Sequence, residues 1–501
     1  MRGVTSSCPS SDDALATALP FSAIPGPSKQ ELPFFGSLFP LIKEKDGYHV
    51  FIEKMHQQFG DIIRYSVMGK HSVSVSRPDH IKEIYTTNQS APLRESLEPW
   101  SNYRLDRGLP LGVALELNQV AQDEERWRKY RRPIAKLLRP EIVNSYVDRV
   151  SYVGLDLADT FEKMNQQEVP ILELRKITSA FGFEAICAIL MGKRMCVLAR
   201  TPDEVDPRTR RFMDAVNIMF RVSNKMLFGE LPFWKIFNTQ SKKEHDRAWD
   251  DIFQIGGEIF SDSVNDKDPR FVRDGVSDFF DIMFEDEKED VSSTYTDIDR
   301  AVMGIELISG GVDTTSNAAQ WILHILARNP EIQERLAQTL EPLMGPLGKP
   351  ARVTSQVIAS AKLYNFVDEA LRLHPVLPTG SRMFNKELVF CGYKIPPFTS
   401  IQLNNWVASR DPRNFKNPEQ FDETRMAKRE CPFGSKTFGA GARQCPGERL
   451  ARMELAVLLG TIVHQFKIET TFPSDRLKAT AHILLSPHEH LKSALRFIRR
   501  Q

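Results

Sequence analysis

Apolar and polar positions follow two rhythms along this chain. They alternate from Ile62 to Val67 and from Ser72 to Val75, the period of half-buried strands. Through the middle the spacing becomes helical. Residues 209–221 and 243–259 predict amphipathic helices, and 300–327 carries the longest uninterrupted helical pattern, closed by Pro330. Ahead of it, Glu285 to Thr296 is charged and polar and predicts a surface loop. Strand-like pieces return at Glu387 to Val389 and at Ile401 to Leu403. A last helix, from Gly447 to Phe466, sets Leu455, Leu458, Leu459, Ile462, Val463 and Phe466 on one face. These elements predict a mainly α (α+β) chain without internal repeats or a linker dividing it.

Ile24-Pro-Gly-Pro27 breaks any helix and separates a polar leader, 1–23, from a folded body, 24–501. The best apolar stretch of the leader, Ala14 to Phe21, is too short to span a bilayer. Arg2 is its one basic residue, opposed by Asp12 and Asp13, so it matches an Arg-rich mitochondrial presequence only weakly. At 501 residues, 41% hydrophobic and 26% charged, the chain has the composition of a folded globular protein. A net charge of +1 gives no reason to expect nucleic acid. Its six cysteines include no C-x-x-C pair, which argues against a disulfide scaffold or zinc site and for a reducing compartment.

One cysteine stands apart. Cys445 lies in Phe438-Gly-Ala-Gly-Ala-Arg-Gln-Cys-Pro-Gly447, a glycine-rich loop just before the last helix. Glycines let backbone approach a flat cofactor closely. A cysteine at a helix N-terminus, near Arg443, is expected to have a depressed pKa and to suit a metal as thiolate. A structural cysteine in a turn is the plainer alternative. The spacing F-x-x-G-x-R-x-C-x-G resembles the heme-thiolate loop of the cytochrome P-450 superfamily, matched at Phe438, Gly441, Arg443, Cys445 and Gly447. The resemblance covers nearly the whole body. It implies a single-domain P-450 fold, a helical bundle around heme b, with the Cys445 sulfur on the iron.

Other residues gain meaning beside that loop. Gly310-Gly-Val-Asp-Thr-Thr315 sits inside the longest helix, where each glycine costs roughly 1 kcal/mol relative to alanine. A bulge or a close ligand would explain them, and the segment resembles the superfamily's oxygen-activation motif, with Asp313 and Thr314 as the acid–alcohol pair that delivers protons. Glu369 and Arg372, an E-x-x-R pair, would alone read as a solvated ion pair. Followed by Leu373-His374-Pro375, they resemble the superfamily's structural pair, and Arg425 is the candidate third member. Heme propionates call for fixed donors, which arginine supplies well. By resemblance these are Trp127 and Arg131 (W-x-x-x-R), Arg382 and Arg443; Arg128 and Arg132 read as solvated neighbours. The substrate pocket would draw on Leu111, Val113, Leu115, Phe220, Ile305, Ser309, Ile483 and Leu484, with Leu485 beside them. These are mostly apolar and suit a sterol-like or other lipophilic molecule.

The stretch Glu244 to Phe253 and Arg443 to Ala451 with Glu454 resemble the animal mitochondrial clan. That resemblance implies a monooxygenase using O2 and electrons from NADPH through a ferredoxin reductase and a 2Fe–2S ferredoxin, at the matrix side of the inner mitochondrial membrane. The endoplasmic reticulum is the alternative location. No Rossmann or flavin segment is present, so electrons must come from another protein. Two positions of the clan's basic docking surface carry Tyr364 and Asp368, and Lys362, Lys428, Arg429, Lys436, Arg449 and Arg452 are a candidate replacement. Met226 to Phe237 is apolar and aromatic; it either dips into a membrane surface or packs on the core. An electron-independent isomerase or dehydratase and a non-enzymatic heme sensor are the rival functions; the first tends to lose the acid–alcohol pair that this chain retains.

Overall fold

Each strand and helix expected from the periodicity forms, with bounds moved by a few residues. The computed structural model describes residues 17–27, 32–44, 46–87, 93–95, 97–113, 115, 124–166, 174–198, 204–273, 276–279, 281–283, 295–428, 431–470, 478–481, 483–487 and 495–501. Most of the leader, the loop up to residue 294 and Arg429 lie outside the described residues. The helices that build the site are α1 (Glu98–Asp106), α2 (Glu124–Leu137), α3 (Val147–Gln166), α4 (Leu174–Leu190) and α5 (Pro207–Asn224). They continue with α6 (Gln240–Asn265), α7 (Asp297–Arg328), α8 (Leu363–Leu373) and α9 (Glu448–Gln465).

The 32-residue α7 is roughly 48 Å long at 1.5 Å per residue. Its first turn is closed by a reciprocal capping box: the Thr296 hydroxyl accepts from the Asp299 N–H at 3.1 Å, and Asp299 accepts from the Thr296 N–H at 3.0 Å. Tyr130 and Lys129 of α2 also donate to Asp299, so the cap docks α2. Nearly every residue of α4 is buried, because it runs inside the molecule between α3 and α7. Small residues set the spacing. A Cβ on Gly182 of α4 would lie 3.0 Å from the Val312 carbonyl oxygen, and one on Gly304 of α7 would lie 2.3 Å from the Phe260 ring of α6. Helix α9 packs against α3, α7 and α8 and buries the apolar face expected of it.

Strands β1 (Ile62–Val67), β2 (Lys70–Val75), β3 (Thr379–Arg382), β4 (Leu388–Phe390), β5 (Tyr393–Ile395) and β6 (Ser400–Asn404) precede α9. After it come β7 (Phe466–Thr470), β8 (Ala479–Ala481), β9 (Leu485–Pro487) and β10 (Leu495–Arg499). One four-stranded sheet has the order β1-β2-β6-β3, with β2 and β6 parallel and the other pairs antiparallel. It places Arg382 opposite Ile401, at the end of β3. The rest form two-stranded antiparallel pairs, β7 with β10, β4 with β5 and β8 with β9. Among the described residues, no helix is long and apolar enough to cross a membrane.

Candidate functional site

Short backbone bonds fold the cysteine loop onto itself. The Cys445 N–H donates to the Phe438 carbonyl at 2.9 Å, and Gln444 N–H donates to Gly441 at 2.9 Å. Gly441 has φ +74°, and a Cβ there would lie 3.1 Å from the Tyr85 carbonyl oxygen, so glycine is required twice over. Neighbouring elements peg the loop. Thr437 donates to the Leu371 carbonyl of α8 at 3.2 Å, and Asn405 exchanges two bonds with Lys436, at 3.2 and 3.3 Å. Cys445 ends in a turn that enters α9, and the Gly447 N–H donates to its sulfur.

The expected depression of the Cys445 pKa is corrected by the structure. The Cys445 side chain is open to solvent, yet the protein packed around it pushes the thiol up, helped by Glu448 and opposed by the Gly447 N–H and the charges of Arg131 and Arg94. Those two arginines, rather than Arg443, are the cations that act on the sulfur. A metal bound here would take the place of the thiol proton.

A set of cations and one indole surround this loop. Arg131 of α2 donates to the Gln444 carbonyl at 2.9 Å, and Arg382 donates to the Ala440 carbonyl at 3.1 Å. Buried Arg443 lies over the Trp127 ring, 4.3 Å from its centroid. The Trp127 Nε1–H is buried and has no acceptor among the described residues. Such a donor is costly unless a bound group accepts from it. A thiol, three arginines and an orphaned indole N–H are the donors that a metal cofactor bearing carboxylates requires, so the residues fit heme b.

Glu369, Arg372 and Arg425 come together. Arg372 meets Glu369 with two bonds, 2.8 and 2.9 Å, both side chains fully buried, and Arg425 donates to the same carboxylate at 3.1 Å. Arg372 also donates to the Ser409 carbonyl at 2.7 Å. A buried pair so completely hydrogen-bonded fixes α8, and α8 holds the cysteine loop through Thr437.

On α7, Asp313 and Thr314 point to different neighbours. Asp313 is buried; its Oδ1 lies 3.8 Å from Arg175, and its Oδ2 has no partner among the described residues. Burial raises its pKa against the lowering pull of Arg175. The half-buried Thr314 hydroxyl donates to the Gly310 carbonyl at 2.6 Å rather than to Asp313. Helix α7 runs through Gly310 and Gly311 without a bulge, and nothing lies within 4 Å of where a Gly310 Cβ would stand.

The pocket residues divide. Leu111, Leu115 and Ser309 are buried, the Ser309 hydroxyl without a partner, while Val113, Ile483 and Leu484 are half-buried. Phe220 packs edge-on against Trp100 of α1 at 5.4 Å. Ile305 is fully buried at the α6–α7 contact, where a Cβ on Gly256 would approach it to 3.1 Å. Leu485 is fully buried, and its carbonyl accepts from Trp321. Sequence reasoning missed Arg94 and Glu306, and took Glu454 only as part of the clan resemblance. Glu306 had a signal: it is the one charged residue between Arg300 and Asp313. Buried Glu454 accepts from the Thr315 hydroxyl at 3.1 Å, and burial raises its pKa to about 8.

Comparison with known proteins agrees with this geometry. The family model described as Cytochrome P450 matches residues 25–492. The mitochondrial cholesterol side-chain cleavage enzyme of Sus scrofa is 29% identical over 475 residues, 92% of this chain and 86% of that protein. The mitochondrial sterol 26-hydroxylase of Rattus norvegicus is 30% identical over 455 residues, 86% and 80% of the two chains. The mitochondrial 1,25-dihydroxyvitamin D(3) 24-hydroxylase of Mus musculus is 26% identical over 457 residues, 90% and 84%. A family match that runs through both the cysteine loop and the helix opposite it leaves one assignment: the chain belongs to the cytochrome P450 family.

Proposed function

We propose that this heme b monooxygenase hydroxylates a sterol-like lipophilic substrate in the mitochondrion, with electrons delivered by a 2Fe–2S ferredoxin. The observation that carries the reading is the cysteine loop ringed by Arg131, Arg382, Arg443 and the unpartnered Trp127 N–H. Bound at Cys445, the heme supplies activation of O2 and insertion of one oxygen atom into a C–H bond. The protein does the rest. Cys445 gives up its proton and ligates as thiolate, steadied by the Gly447 N–H. Trp127, Arg131, Arg382 and Arg443 hold carboxylates. Asp313, which burial biases toward its protonated form, is placed as the acid with Arg175 beside its Oδ1, and Thr314 as the alcohol that passes protons on.

Partner and location follow from the surface and the relatives. Asp368 is bound to Arg452 at 2.7 Å, and Arg452 also pairs with Glu448 at 2.8 Å, so this cation is internally balanced. Tyr364 packs on the core. The acidic ferredoxin therefore docks on exposed Lys362, Lys428 and Arg449 around the half-buried Lys436. Met226 and Trp234 are buried, whereas Leu231, Phe233, Ile236 and Phe237 are exposed, so Met226–Phe237 packs on the core at two positions and leaves four apolar side chains on the surface. A second exposed patch, Phe34, Phe39 and Ile42, adjoins it through Glu98, which pairs with both Lys70 and Lys235. The two patches together rest on a membrane surface from which a lipophilic substrate enters. The relatives' mitochondrial names support the same compartment.

The test is the rate at which ferric protein becomes the ferrous–carbon monoxide form. Rapid appearance of the thiolate-type Soret band with a mitochondrial ferredoxin system supports the reading whole. Reduction by a diflavin reductase alone keeps the monooxygenase and moves it to the endoplasmic reticulum. A band seen only with dithionite overturns the electron-dependent function.

A further inference from the structure

Two buried charges lie outside the machinery described so far. Arg104 on α1 and Glu306 on α7, distant in sequence, meet at 2.8 Å, with side chains 1% and 4% exposed. Glu306 stands one turn before Gly310, on the helix that carries Asp313 and Thr314. Its second oxygen, Oε2, accepts from the Val113 N–H at 2.9 Å. Arg104 donates from the same nitrogen to the Pro110 carbonyl at 3.2 Å. One ion pair therefore holds both ends of the turn 110–113 against α7.

The turn is shaped to accept this contact. Gly112 has φ +65°, and a Cβ on it would lie 2.4 Å from the Glu306 carboxylate. Any side chain there is strained in its backbone and drives the carboxylate away. From the opposite direction, Arg126 of α2 donates to the Gly112 carbonyl at 3.0 Å. Arg94, whose charge is felt at Cys445, reaches toward the Val113 carbonyl at 3.5 Å. The turn is thus bonded to α7 through Glu306, to α2 through Arg126, and to Arg94.

Helix α1 carries the pair outward. The Trp100 N–H donates to Ser223 of α5 at 2.7 Å, Tyr103 stacks on Trp249 of α6, and the Arg104 guanidinium lies 5.7 Å from the Trp249 ring centroid. A buried ion pair adds little net stability compared with apolar residues of the same size, so what it supplies here is position. Its loss leaves α1 and the turn attached to α5, α6 and α2 but no longer anchored to α7.

We propose that Arg104 and Glu306 are a positioning latch that holds the 110–113 turn down on α7 and so sets the size of ligand admitted to the distal side of the heme. The proposal rests on the heme-thiolate reading above. Opening requires both Glu306 bonds to break together, and the need for that opening rises with the bulk of the ligand. The latch therefore governs entry of large molecules and is indifferent to small ones.

The experiment measures association rates by stopped flow, from the Soret shift of the ferric holoprotein, for clotrimazole and for imidazole. Three variants break the latch differently: Glu306→Gln weakens the charge, Gly112→Ala displaces it, and the double Arg104→Met/Glu306→Leu replaces it with apolar bulk that protects the fold. The proposal expects the clotrimazole rate to rise by about tenfold or more in each folded variant, the loss of one buried charge-assisted contact, with imidazole unchanged. A general loosening would accelerate both ligands alike and overturns it. An unchanged ratio of the two rates in the double variant, with the thiolate-type ferrous–carbon monoxide band intact, also overturns it. If wild-type protein lacks that band, the cofactor reading fails first, and the two failures are distinguishable.

Discussion

At the scale of single residues, what matters is which polar atoms are satisfied within the protein. The Trp127 N–H is buried without an acceptor among the described residues, and Trp127→Phe keeps the ring beneath Arg443 while deleting that donor. A hydrogen bond to a charged carboxylate contributes about 1.5–3 kcal/mol, so heme transfer to apomyoglobin should accelerate by at least tenfold. An unchanged transfer rate would remove Trp127 from the propionate set. Thr314→Ala removes a hydroxyl bonded to the Gly310 carbonyl and should leave the thiolate spectrum intact. Product formed per O2 consumed should fall several-fold as peroxide appears; unaltered coupling would take Thr314 out of proton delivery. Which of these residues the sequence revealed depended on distance along the chain. The loop from Phe438 to Gly447 is a local pattern and was legible as such. Arg94 and Glu306 were not, because their partners at Cys445 and Arg104 are brought to them only by the tertiary fold.

Elements were legible where they have two unlike faces. Helices α5 and α6 present one apolar stripe and were bounded to within a few residues, and α7 gained its first turn from the Thr296–Asp299 cap. Helix α4 is buried almost all round; it has no polar face to set a period, so its pattern gave no boundary to read. Nor does periodicity reveal how closely two helices approach. That distance is written in isolated small residues, such as Gly304 against the Phe260 ring. A methyl at Gly304 must push α6 from α7 or turn the ring, an overpacking that costs typically 1–3 kcal/mol. Gly304→Ala should therefore lower the urea midpoint of unfolding measurably, whereas Gly310→Ala, which meets no neighbour within 4 Å, should move it much less. Equal effects would mean that the α6–α7 spacing is not set at residue 304.

Across the whole molecule, the buried ionisable groups fix where in pH the fold is strongest. Burial lowers the pKa of His49 to about 3, of His56 to about 4 and of His324 to about 3. His374, stacked on Trp321 at 3.9 Å, is pushed well below its ordinary value by burial and by the nearby charges of Arg410 and Arg372. Each of these histidines is neutral in the fold and protonated in the unfolded chain below 6.5, so stability is lost as pH falls from there toward their folded values. Glu454 acts in the other direction. Its folded pKa of about 8 stands above the ordinary 4.5, so the fold keeps a proton that the unfolded chain gives up, and stability declines as pH rises between those values. At pH 6.5 the unfolded chain still holds about half of the four histidine protons, roughly two against the one on Glu454, and the two sides balance at about pH 7. Each fully titrating group tilts stability by roughly 1.4 kcal/mol per pH unit. The urea midpoint, followed by tryptophan fluorescence, should therefore peak near pH 7 and fall on both sides. Glu454→Gln copies the protonated acid, keeps an acceptor for the Thr315 hydroxyl and titrates nowhere in this range. It should preserve the acid loss and flatten most of the decline toward pH 8. If the variant declines as steeply as the natural protein, the proton held in the fold above pH 6.5 is not on Glu454, and the coupling between α9 and Thr315 of α7 is an ordinary hydrogen bond rather than a proton store.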